Sequence, residues 1–150
     1  MAEAEIFLKL KQDHDLHRRL LGEIDAAADG QTRGDLLANF KVEVTAHAAA
    51  EEESLYATML ADPELRHEAQ HSVAEHKEIE DYLKKLSDMA PDSDEWRECY
   101  AHMKHRYTHH IDEEEEEMFP EAAKELDAET QAELGEKFDE RKPAELERAR

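Results

Sequence analysis

Histidine is the residue type in this sequence that is most able to bind metals or take part in catalysis. Ten histidines occur among the 150 residues, whereas there is a single cysteine. Two of them stand in a motif with glutamate: His47 precedes Glu51 by four residues, and His110 precedes Glu114 by the same interval. Residues four apart share one face of an α-helix, with Cβ atoms roughly 6 Å apart. At this spacing an imidazole and a carboxylate can bind the same metal ion, or the carboxylate can bridge to a second ion.

The two His-x-x-x-Glu motifs belong to an internal repeat. Each follows a segment in which an acidic residue directly precedes a lone histidine, Asp13-His14 in the first half and Glu75-His76 in the second. The lone histidine and the motif are 33 residues apart in the first half and 34 in the second. A bundle with pseudo-two-fold symmetry brings such residues together at mid-height. The repeat predicts six metal ligands: His14, His47, Glu51, His76, His110 and Glu114.

Metal ions explain why carboxylates would stand inside a bundle. A buried, uncompensated carboxylate costs several kcal/mol or becomes protonated, and a cation removes that cost. Four imidazoles and two carboxylates exceed the four ligands of a structural zinc site. They favour two redox-active ions, for which iron fits best and manganese is an alternative. With terminal histidines, bridging glutamates and an oxo or hydroxo bridge, coordination positions stay open to water, dioxygen, peroxide or nitric oxide.

The elements that must position these residues are helices. Only four Gly and four Pro occur, and there is no run of Val, Ile and Thr typical of a strand. The fold class is therefore predicted to be all-α, in a single domain over 1–150. Turn and cap signals predict four long helices over about 3–28, 32–60, 62–90 and 92–126. Their short connections predict an antiparallel up-down-up-down four-helix bundle.

Local signals refine the helix ends. Thr32 and Asp35 form a pair like a capping box at the second helix, and Asp62 before a proline is the predicted start of the third. The fourth helix is predicted to open around Asp92. Residues 127–150 are predicted to form a short C-terminal helix over about 128–141, followed by Pro143 and a charged tail. This helix is expected to lie against the bundle end.

The same helical geometry predicts whether the remaining histidines face the core or the solvent. His67 and His71 lie 140° to 180° from His76 around the helix, so both are expected to face solvent. His17 stands one turn from His14, where it either forms a hydrogen bond near the site or supplies a fifth nitrogen. Three others are predicted to lie at the surface: His102, His105 and His109. In the run 113–117 only Glu114, perhaps joined by Glu117, is expected to face inward.

The motifs and their spacing resemble the hemerythrin family, in its HHE cation-binding branch, over about residues 6–125. The resemblance is carried by four segments: Asp13-His14, His47-x-x-x-Glu51-Glu52, Glu75-His76 and His110-x-x-x-Glu114. It implies a non-haem diiron centre and a role with dioxygen or related small ligands. In oxygen-carrying hemerythrins the third helix carries two histidines four apart, whereas Ser72 stands four before His76 here. Their fourth helix carries an aspartate five residues after its histidine, whereas in this chain Glu114 lies four residues after His110.

These departures predict a more symmetric and more open centre. They favour ligand sensing, peroxide or nitric oxide chemistry, or iron handling over reversible oxygen carriage. The preferred hypothesis is an oxo-bridged diiron protein that binds or reacts with dioxygen, peroxide or nitric oxide. An iron-storage or iron- and redox-sensing module is the alternative, and a metal-free interaction bundle is the third reading. No acid–base triad is evident, so enzymatic turnover is left open.

Charge and composition narrow the possible partners. The formal net charge is −21, with 40 acidic and 19 basic residues, and this acidity disfavours nucleic acid and anionic membranes. The oligomeric state is left open. Cys99 has no partner for an intramolecular disulfide. No apolar run approaches the length of a membrane span, and the segment 1–5 lacks the features of a signal peptide. A cytoplasmic location is therefore expected.

Overall fold

The computed structural model describes residues 3–150, and that range is almost entirely helical. Met1 and Ala2 lie outside the described residues. They are part of the domain predicted over 1–150 and of segment 1–5, on which the predicted cytoplasmic location partly rests. The described chain forms five helices: α1 (Glu5–Ala26), α2 (Gly30–Glu51, continuing as Glu52–Tyr56 and Ala57–Ala61), α3 (Arg66–Ser87), α4 (Asp94–Glu113, continuing as Glu114–Met118 and Phe119–Glu125) and α5 (Ala128–Ala149). The prediction of an all-α fold is confirmed.

The core consists of two apolar clusters with a polar layer between them. One cluster contains Phe7 of α1 and Phe119 of α4, and the other contains Ile24 of α1 and Trp96 of α4. Along α1 and α3 the chain passes from the first cluster to the second, and along α2 and α4 it passes back. This alternation confirms the antiparallel up-down-up-down bundle. Each helix crosses the polar layer near its middle.

Aspartate and serine side chains cap the helices at positions that differ slightly from the prediction. Asp29 caps α2, because its carboxylate accepts a hydrogen bond from the Thr32 backbone N–H at 2.7 Å. Thr32 is thus a donor inside the helix and not the cap. Ser93 caps α4 by accepting from the Trp96 N–H at 3.1 Å, one residue after the predicted start at Asp92. These side chains satisfy N–H groups that have no partner within the helix.

The third helix begins four residues later than predicted. Asp62 closes a turn: its side chain accepts from the Glu64 N–H at 2.9 Å and its carbonyl accepts from the Leu65 N–H at 3.0 Å. Helical geometry then starts at Arg66. Asp62 therefore begins the turn between α2 and α3 and does not cap α3.

The C-terminal helix is longer than predicted. It does not end at Arg141 but continues through Pro143 to Ala149. A proline removes one backbone hydrogen bond, and side-chain contacts on both sides of it hold the helix together. Glu145 is buried and lies 3.3 Å from Arg141 and 3.2 Å from Arg148.

The position of α5 also corrects the prediction, because the helix packs along α1 and α2 and not against the bundle end. Phe138 is buried, with its ring 6.2 Å from that of His47. Lys142 reaches Asp13 of α1 at 2.7 Å. The fifth helix therefore covers the outer side of the polar layer. Within residues 3–150, none of the helices is both long and apolar enough to cross a membrane.

Two π-helical segments interrupt α2 and α4 at the motif glutamates of the polar layer. They cover Glu52–Tyr56 and Glu114–Met118. The i→i+5 hydrogen bonding of a π-helix brings residues five apart onto the same face, whereas an α-helix turns them well away from each other. An aromatic residue five positions after the motif glutamate is thereby kept inside. Tyr56 stacks on His76 with ring centroids 5.2 Å apart, and Phe119 stacks on His14 at 6.0 Å.

Candidate metal centre

The structure brings all six predicted ligands together in the polar layer. The histidine and glutamate of each motif lie one turn apart, and each lone histidine faces them from a neighbouring helix. Five of the six residues are no more than 2% exposed, and the side chain of His76 is 7% exposed. The six residues form two groups of close donor atoms, one around His14 and His47 and one around His76 and His110.

The Glu51 carboxylate lies between the two groups. Its Oε1 is 3.5 Å from Nε2 of His47, one turn earlier on α2, and 3.3 Å from Nε2 of His76 on α3. One histidine comes from each half of the repeat. Glu51 is therefore placed to serve two metal positions at once.

Glu114 repeats this arrangement from the opposite side. Its Oε1 is 3.2 Å from Nε2 of His110, on the same helix, and 3.4 Å from Nε2 of His14 on α1. The imidazole rings within each group are also close, with centroids 5.0 Å apart for His14 and His47. Two histidine pairs therefore flank two shared carboxylates in the polar layer.

The donor atoms of the cluster lack the partners that buried polar atoms require. Among residues 3–150, six buried donor atoms have no hydrogen-bond partner. They are Nε2 of His14, His47 and His110, the two carboxylate oxygens of Glu51, and Oε1 of Glu114. Buried polar atoms in native proteins are almost always paired, and unpaired buried charge is costly. Because all these atoms converge on one space, a bound cation would satisfy them together. The residues present therefore fit a metal centre.

A ring of carboxylates holds the outer nitrogen of each imidazole. The distances from Nδ1 to carboxylate oxygen are 2.7 Å for His14–Glu115, 2.8 Å for His47–Asp13, 2.8 Å for His76–Glu52 and 2.8 Å for His110–Glu75. Each carboxylate is a sequence neighbour of one candidate ligand and orients a histidine on the next helix. An Nδ1–H that donates outward leaves the Nε2 lone pair directed at the metal position.

Sequence reasoning found part of this ring and missed the rest. Asp13 and Glu75 belonged to the repeat, but no role was predicted for them. Glu115 was expected on a solvated face, which is wrong because it is half-buried against His14. Glu117, the predicted possible second inward residue, is exposed. The sequence did contain a signal for the whole ring. An acidic residue is adjacent to every candidate ligand except His47 and His110.

We predict that Glu75→Gln weakens iron binding by roughly 10- to 100-fold, the usual effect of losing a carboxylate that orients a metal-bound histidine. The amide cannot stabilise the outward N–H of His110 as a carboxylate does. Competition with a coloured chelator measures the change, and Glu80→Gln, at an exposed position on the same helix, is the matched control. Equal affinity in the two variants would remove the orienting role from Glu75.

The electrostatics of the cluster favour protonated histidines when no metal is bound. Burial opposes protonation, but the carboxylates of Glu114 and Glu115 outweigh it and raise the pKa of His14 to about 9. Burial likewise opposes protonation of His110, whose pKa is raised to about 10, chiefly by Glu114. Burial would raise the pKa of Glu114, but His110 and His14 hold it well below its ordinary value. Without a metal, His14 and His110 are thus imidazolium cations beside the Glu114 carboxylate.

These shifts predict that the metal-free fold loses stability in alkali. The pKa values of about 9 and 10 for His14 and His110 exceed the ordinary value of 6.5. Their contribution is therefore complete below pH 6.5 and disappears as the pH rises through 9 and 10. We expect the melting temperature of chelator-treated protein to fall between pH 7 and pH 10. The iron-loaded protein should change much less, and parallel curves for the two forms would contradict this assignment.

A seventh buried polar side chain, His17, lies beside the cluster. It is 0% exposed, and its Nδ1 forms a hydrogen bond of 2.6 Å with the Tyr107 hydroxyl. Nε2 of His17 has no hydrogen-bond partner in the part of the chain that the structure describes. Burial and the neighbouring imidazoles of His47 and His14 lower its pKa well below the ordinary value. His17 is therefore a neutral imidazole.

Tyr56 adds a hydroxyl on the other side of the cluster. It is fully buried and donates a short hydrogen bond to Oε2 of Glu114. Burial, with the carboxylates of Glu114 and Glu51, raises the pKa of Tyr56 well above its ordinary value, so the hydroxyl remains protonated. The corresponding aromatic in the second half is Phe119, which has no hydroxyl.

The other histidines lie at the surface, as predicted: His67, His71, His102, His105 and His109. His71 lies 3.5 Å from Glu75 and 3.7 Å from Glu113, in an exposed group apart from the buried cluster. Cys99 is a half-buried residue of α4.

Fold and site together define a class of protein: an antiparallel helical bundle that encloses a layer of metal-binding side chains between two apolar clusters. The sequence matches the family described as "Hemerythrin HHE cation binding domain" over residues 6–122. Since this match covers most of the chain, the protein belongs to the hemerythrin HHE family. The resemblance inferred from the motifs is confirmed, and the family and the buried cluster together indicate a metal-binding site.

A solved structure supports the same fold. The chain is similar to a crystal structure of a hemerythrin HHE cation binding domain-containing protein from Mycobacterium kansasii, a homologue of Rv2633c. The TM-score is 0.79 at 24% sequence identity, and the alignment covers 99% of this chain and 90% of that one. A search of curated proteins gave no match.

Proposed function

We propose that this chain is a non-haem diiron protein whose centre binds or reacts with dioxygen, peroxide or nitric oxide. The observation that supports it most is the position of the two glutamates. Each lies within 3.5 Å of one histidine from each half of the repeat. A single zinc ion would not use two such carboxylates, whereas a pair of six-coordinate ions would.

In this proposal the imidazoles are terminal ligands and the carboxylates bridge. His14 and His47 hold one ion, and His76 and His110 hold the other. Iron, when bound, supplies one-electron redox chemistry and open coordination positions. The chain supplies the neutral Nε2 donors, the carboxylate ring that orients them, and the apolar clusters that limit access of water.

Two small cavities that reach the cluster favour a small ligand. One of about 90 Å³ is lined by Ser72, His110, Glu114 and Met118 among others, and opens between α3 and α4. A second of about 290 Å³ lies between α2 and α3 and reaches His47 and His76. Drug-sized ligands generally need pockets of about 300 to 1,000 Å³. The 90 Å³ cavity is far below this range and suits a molecule of two or a few atoms, and the 290 Å³ cavity lies just below the range.

The test is optical spectroscopy of protein loaded with iron under anaerobic conditions. Oxidised protein should show charge-transfer bands of a bridged iron pair, and those bands should change on adding azide or peroxide. Reduced protein should change on adding nitric oxide. Iron-dependent bands that ignore all three ligands would reject the proposal and favour iron storage or iron and redox sensing. Protein that binds no metal would reject both.

The predictions about partners and location follow from charge and sequence alone. The net charge of −21 supports the proposal that nucleic acid and anionic membranes are not partners. A cytoplasmic location remains a prediction. Whether ligand binding leads to catalytic turnover is decided by whether peroxide is consumed repeatedly or binds once.

A further inference from the structure

A second group of metal-binding side chains lies at the surface, outside the polar layer. Nε2 of His71 on α3 is 3.5 Å from a carboxylate oxygen of Glu75, one turn later, and 3.7 Å from one of Glu113 on α4. The three donor atoms all lie within 4.8 Å of one another. Ligand atoms about 2.1 Å from one divalent ion are roughly 3 to 3.5 Å apart. A small inward shift would therefore let all three side chains bind one cation.

Each of the two carboxylates is also held by a second histidine. Oε1 of Glu75 lies 2.8 Å from Nδ1 of His110, and its Oε2 is the atom that faces His71. Oε2 of Glu113 lies 3.0 Å from Nε2 of His109, and its Oε1 faces His71. One oxygen of each carboxylate is thus positioned by a histidine, and the other is left for a cation beside His71.

A cavity connects this surface group with the buried cluster. The cavity of about 90 Å³ between α3 and α4 is lined both by the surface group and by His110 and Glu114. Nε2 of His110 and Oε1 of Glu114 are buried without a hydrogen-bond partner among residues 3–150. Side-chain exposure is 54% at His71, 33% at Glu113 and 12% at Glu75, and the two deeper residues are no more than 2% exposed. A series of donor groups therefore leads from solvent to the polar layer.

The charge of the cavity lining favours a cation. Among the described residues that line it there is no lysine or arginine, and six are glutamates: Glu68, Glu75, Glu113, Glu114, Glu117 and Glu121. The cavity between α2 and α3 has only two glutamates in its lining, Glu52 and Glu80, beside several apolar side chains. A cleft lined by charges of one sign raises the local concentration of ions of the opposite sign. The cavity between α3 and α4 is therefore the better route for a metal ion.

The internal repeat shows that the surface group is not a by-product of the two similar halves. Lys9 is the counterpart of His71, since each lies five residues before its lone histidine. Ala50 is the counterpart of Glu113, three residues after the motif histidine. The first half therefore has neither the imidazole nor the second carboxylate, and the group exists on one side of the bundle only.

The orienting carboxylates of the two halves also differ in how their charge is compensated from outside. Asp13, which holds His47, pairs with the ammonium group of Lys142 at 2.7 Å. Glu75, which holds His110, has no ion pair with a lysine or arginine in the described chain. Where one half has a cation of the protein itself, the other has a place for a cation from solution.

We propose that His71, Glu75 and Glu113 bind a divalent cation, and that this outer site is where ferrous iron enters on its way to the polar layer. The entry role rests on the proposed diiron function, whereas the outer site itself does not. Three protein ligands at a surface leave the remaining coordination positions to water. The ion therefore stays exchangeable, as transfer to deeper ligands requires.

Diffraction from crystals soaked in manganese chloride tests the outer site, because manganese gives an anomalous signal. We expect a peak bonded to Nε2 of His71 and to one carboxylate oxygen each of Glu75 and Glu113. Glu113→Ala should lose this peak, and Glu116→Ala, at an exposed position three residues further along α4, should retain it. Wild-type crystals without the peak at saturating manganese would overturn the proposal.

The rate at which metal-free protein takes up ferrous iron under anaerobic conditions tests the entry role. Iron in the polar layer is shielded from a coloured ferrous chelator and iron at the outer site is not, so chelator-resistant iron reports arrival. His71→Ala and Glu113→Ala should slow arrival by roughly 10-fold or more, the lower end of what a charged cleft contributes to capture. Both variants should reach the wild-type iron content in the end.

His105→Ala, at an exposed histidine of α4 outside the cavity lining, is the matched control and should load at the wild-type rate. A manganese peak at the outer site together with unchanged loading in His71→Ala and Glu113→Ala would mean an adventitious ion only and would overturn the entry role.

Failure of this inference is distinguishable from failure of the proposed function. Two irons in the polar layer, without a cation at the outer site and with equal loading rates in all variants, would retain the diiron function and remove the outer site. A cation at the outer site of protein whose polar layer binds no iron would retain that site and remove both the diiron function and the entry role.

Discussion

His110→Ala should reduce the iron content to about half of the wild-type value or less, whereas His67→Ala should leave it unchanged. In the proposed centre His110 supplies one of the two imidazoles of the second metal position, and the donor group there contains no histidine besides His76 and His110 among residues 3–150. Its removal also leaves the Glu75 carboxylate, which is largely buried, without its imidazole partner. Metal binding depends on the number of correctly placed ligands, so the second iron should be lost first.

Element-specific mass spectrometry after gel filtration measures this iron content. His67 is a suitable control because it lies on α3, exposed and more than two turns from His76. A circular dichroism spectrum of each variant shows whether the bundle is intact. Equal iron loss in the two variants would contradict the ligand set, since a surface histidine cannot affect a buried centre by direct coordination.

Removing the metal should lower the melting temperature by roughly 10 °C. Metal bound only to the folded chain stabilises it by about 4 kcal/mol when free iron exceeds the dissociation constant 1,000-fold. For a domain of this size each kcal/mol corresponds to about 2–4 °C. The structural reason is the pair of buried carboxylates, Glu51 and Glu114, because three of their four oxygens have no hydrogen-bond partner among residues 3–150 and a bound cation would satisfy them.

Glu51→Gln provides the matched test of that reason. The amide keeps the shape of the side chain but cannot bridge two cations with a charged group. We expect the metal-dependent increase in melting temperature to be largely lost in this variant, and to persist in Glu80→Gln on the bundle surface. An increase of the same size in Glu51→Gln would show that the metal stabilises the fold from another place.

Much of the centre was predictable because the sequence contains an internal repeat. A helical period and two similar halves were enough to place His14, His47, His76 and His110 in one layer, because a residue's face on a long helix follows from its spacing. The four-helix arrangement followed in the same way from short connections. Such local rules hold wherever a segment continues one regular geometry.

The features that escaped prediction depend on contacts between distant segments or on irregular geometry. A hydrogen bond near the site was one of the two roles predicted for His17, but its partner was not predicted, because Tyr107 lies 90 positions away on another helix and no spacing within one helix reports such a contact. The π-helical turn after Glu114 changes which residues face α1, so Glu115 was assigned to solvent. Pro143 was taken as a stop, yet α5 continues because its packing and the ion pairs of Glu145 offset one lost hydrogen bond.

The metal content of protein purified anaerobically, with its absorption spectrum after controlled oxidation, shows whether the polar layer holds a pair of irons. The proposed function predicts about two irons per chain and charge-transfer bands of a bridged pair, because two carboxylates each face both histidine pairs. One zinc per chain, or no bound metal after reconstitution with ferrous iron, would contradict the diiron centre.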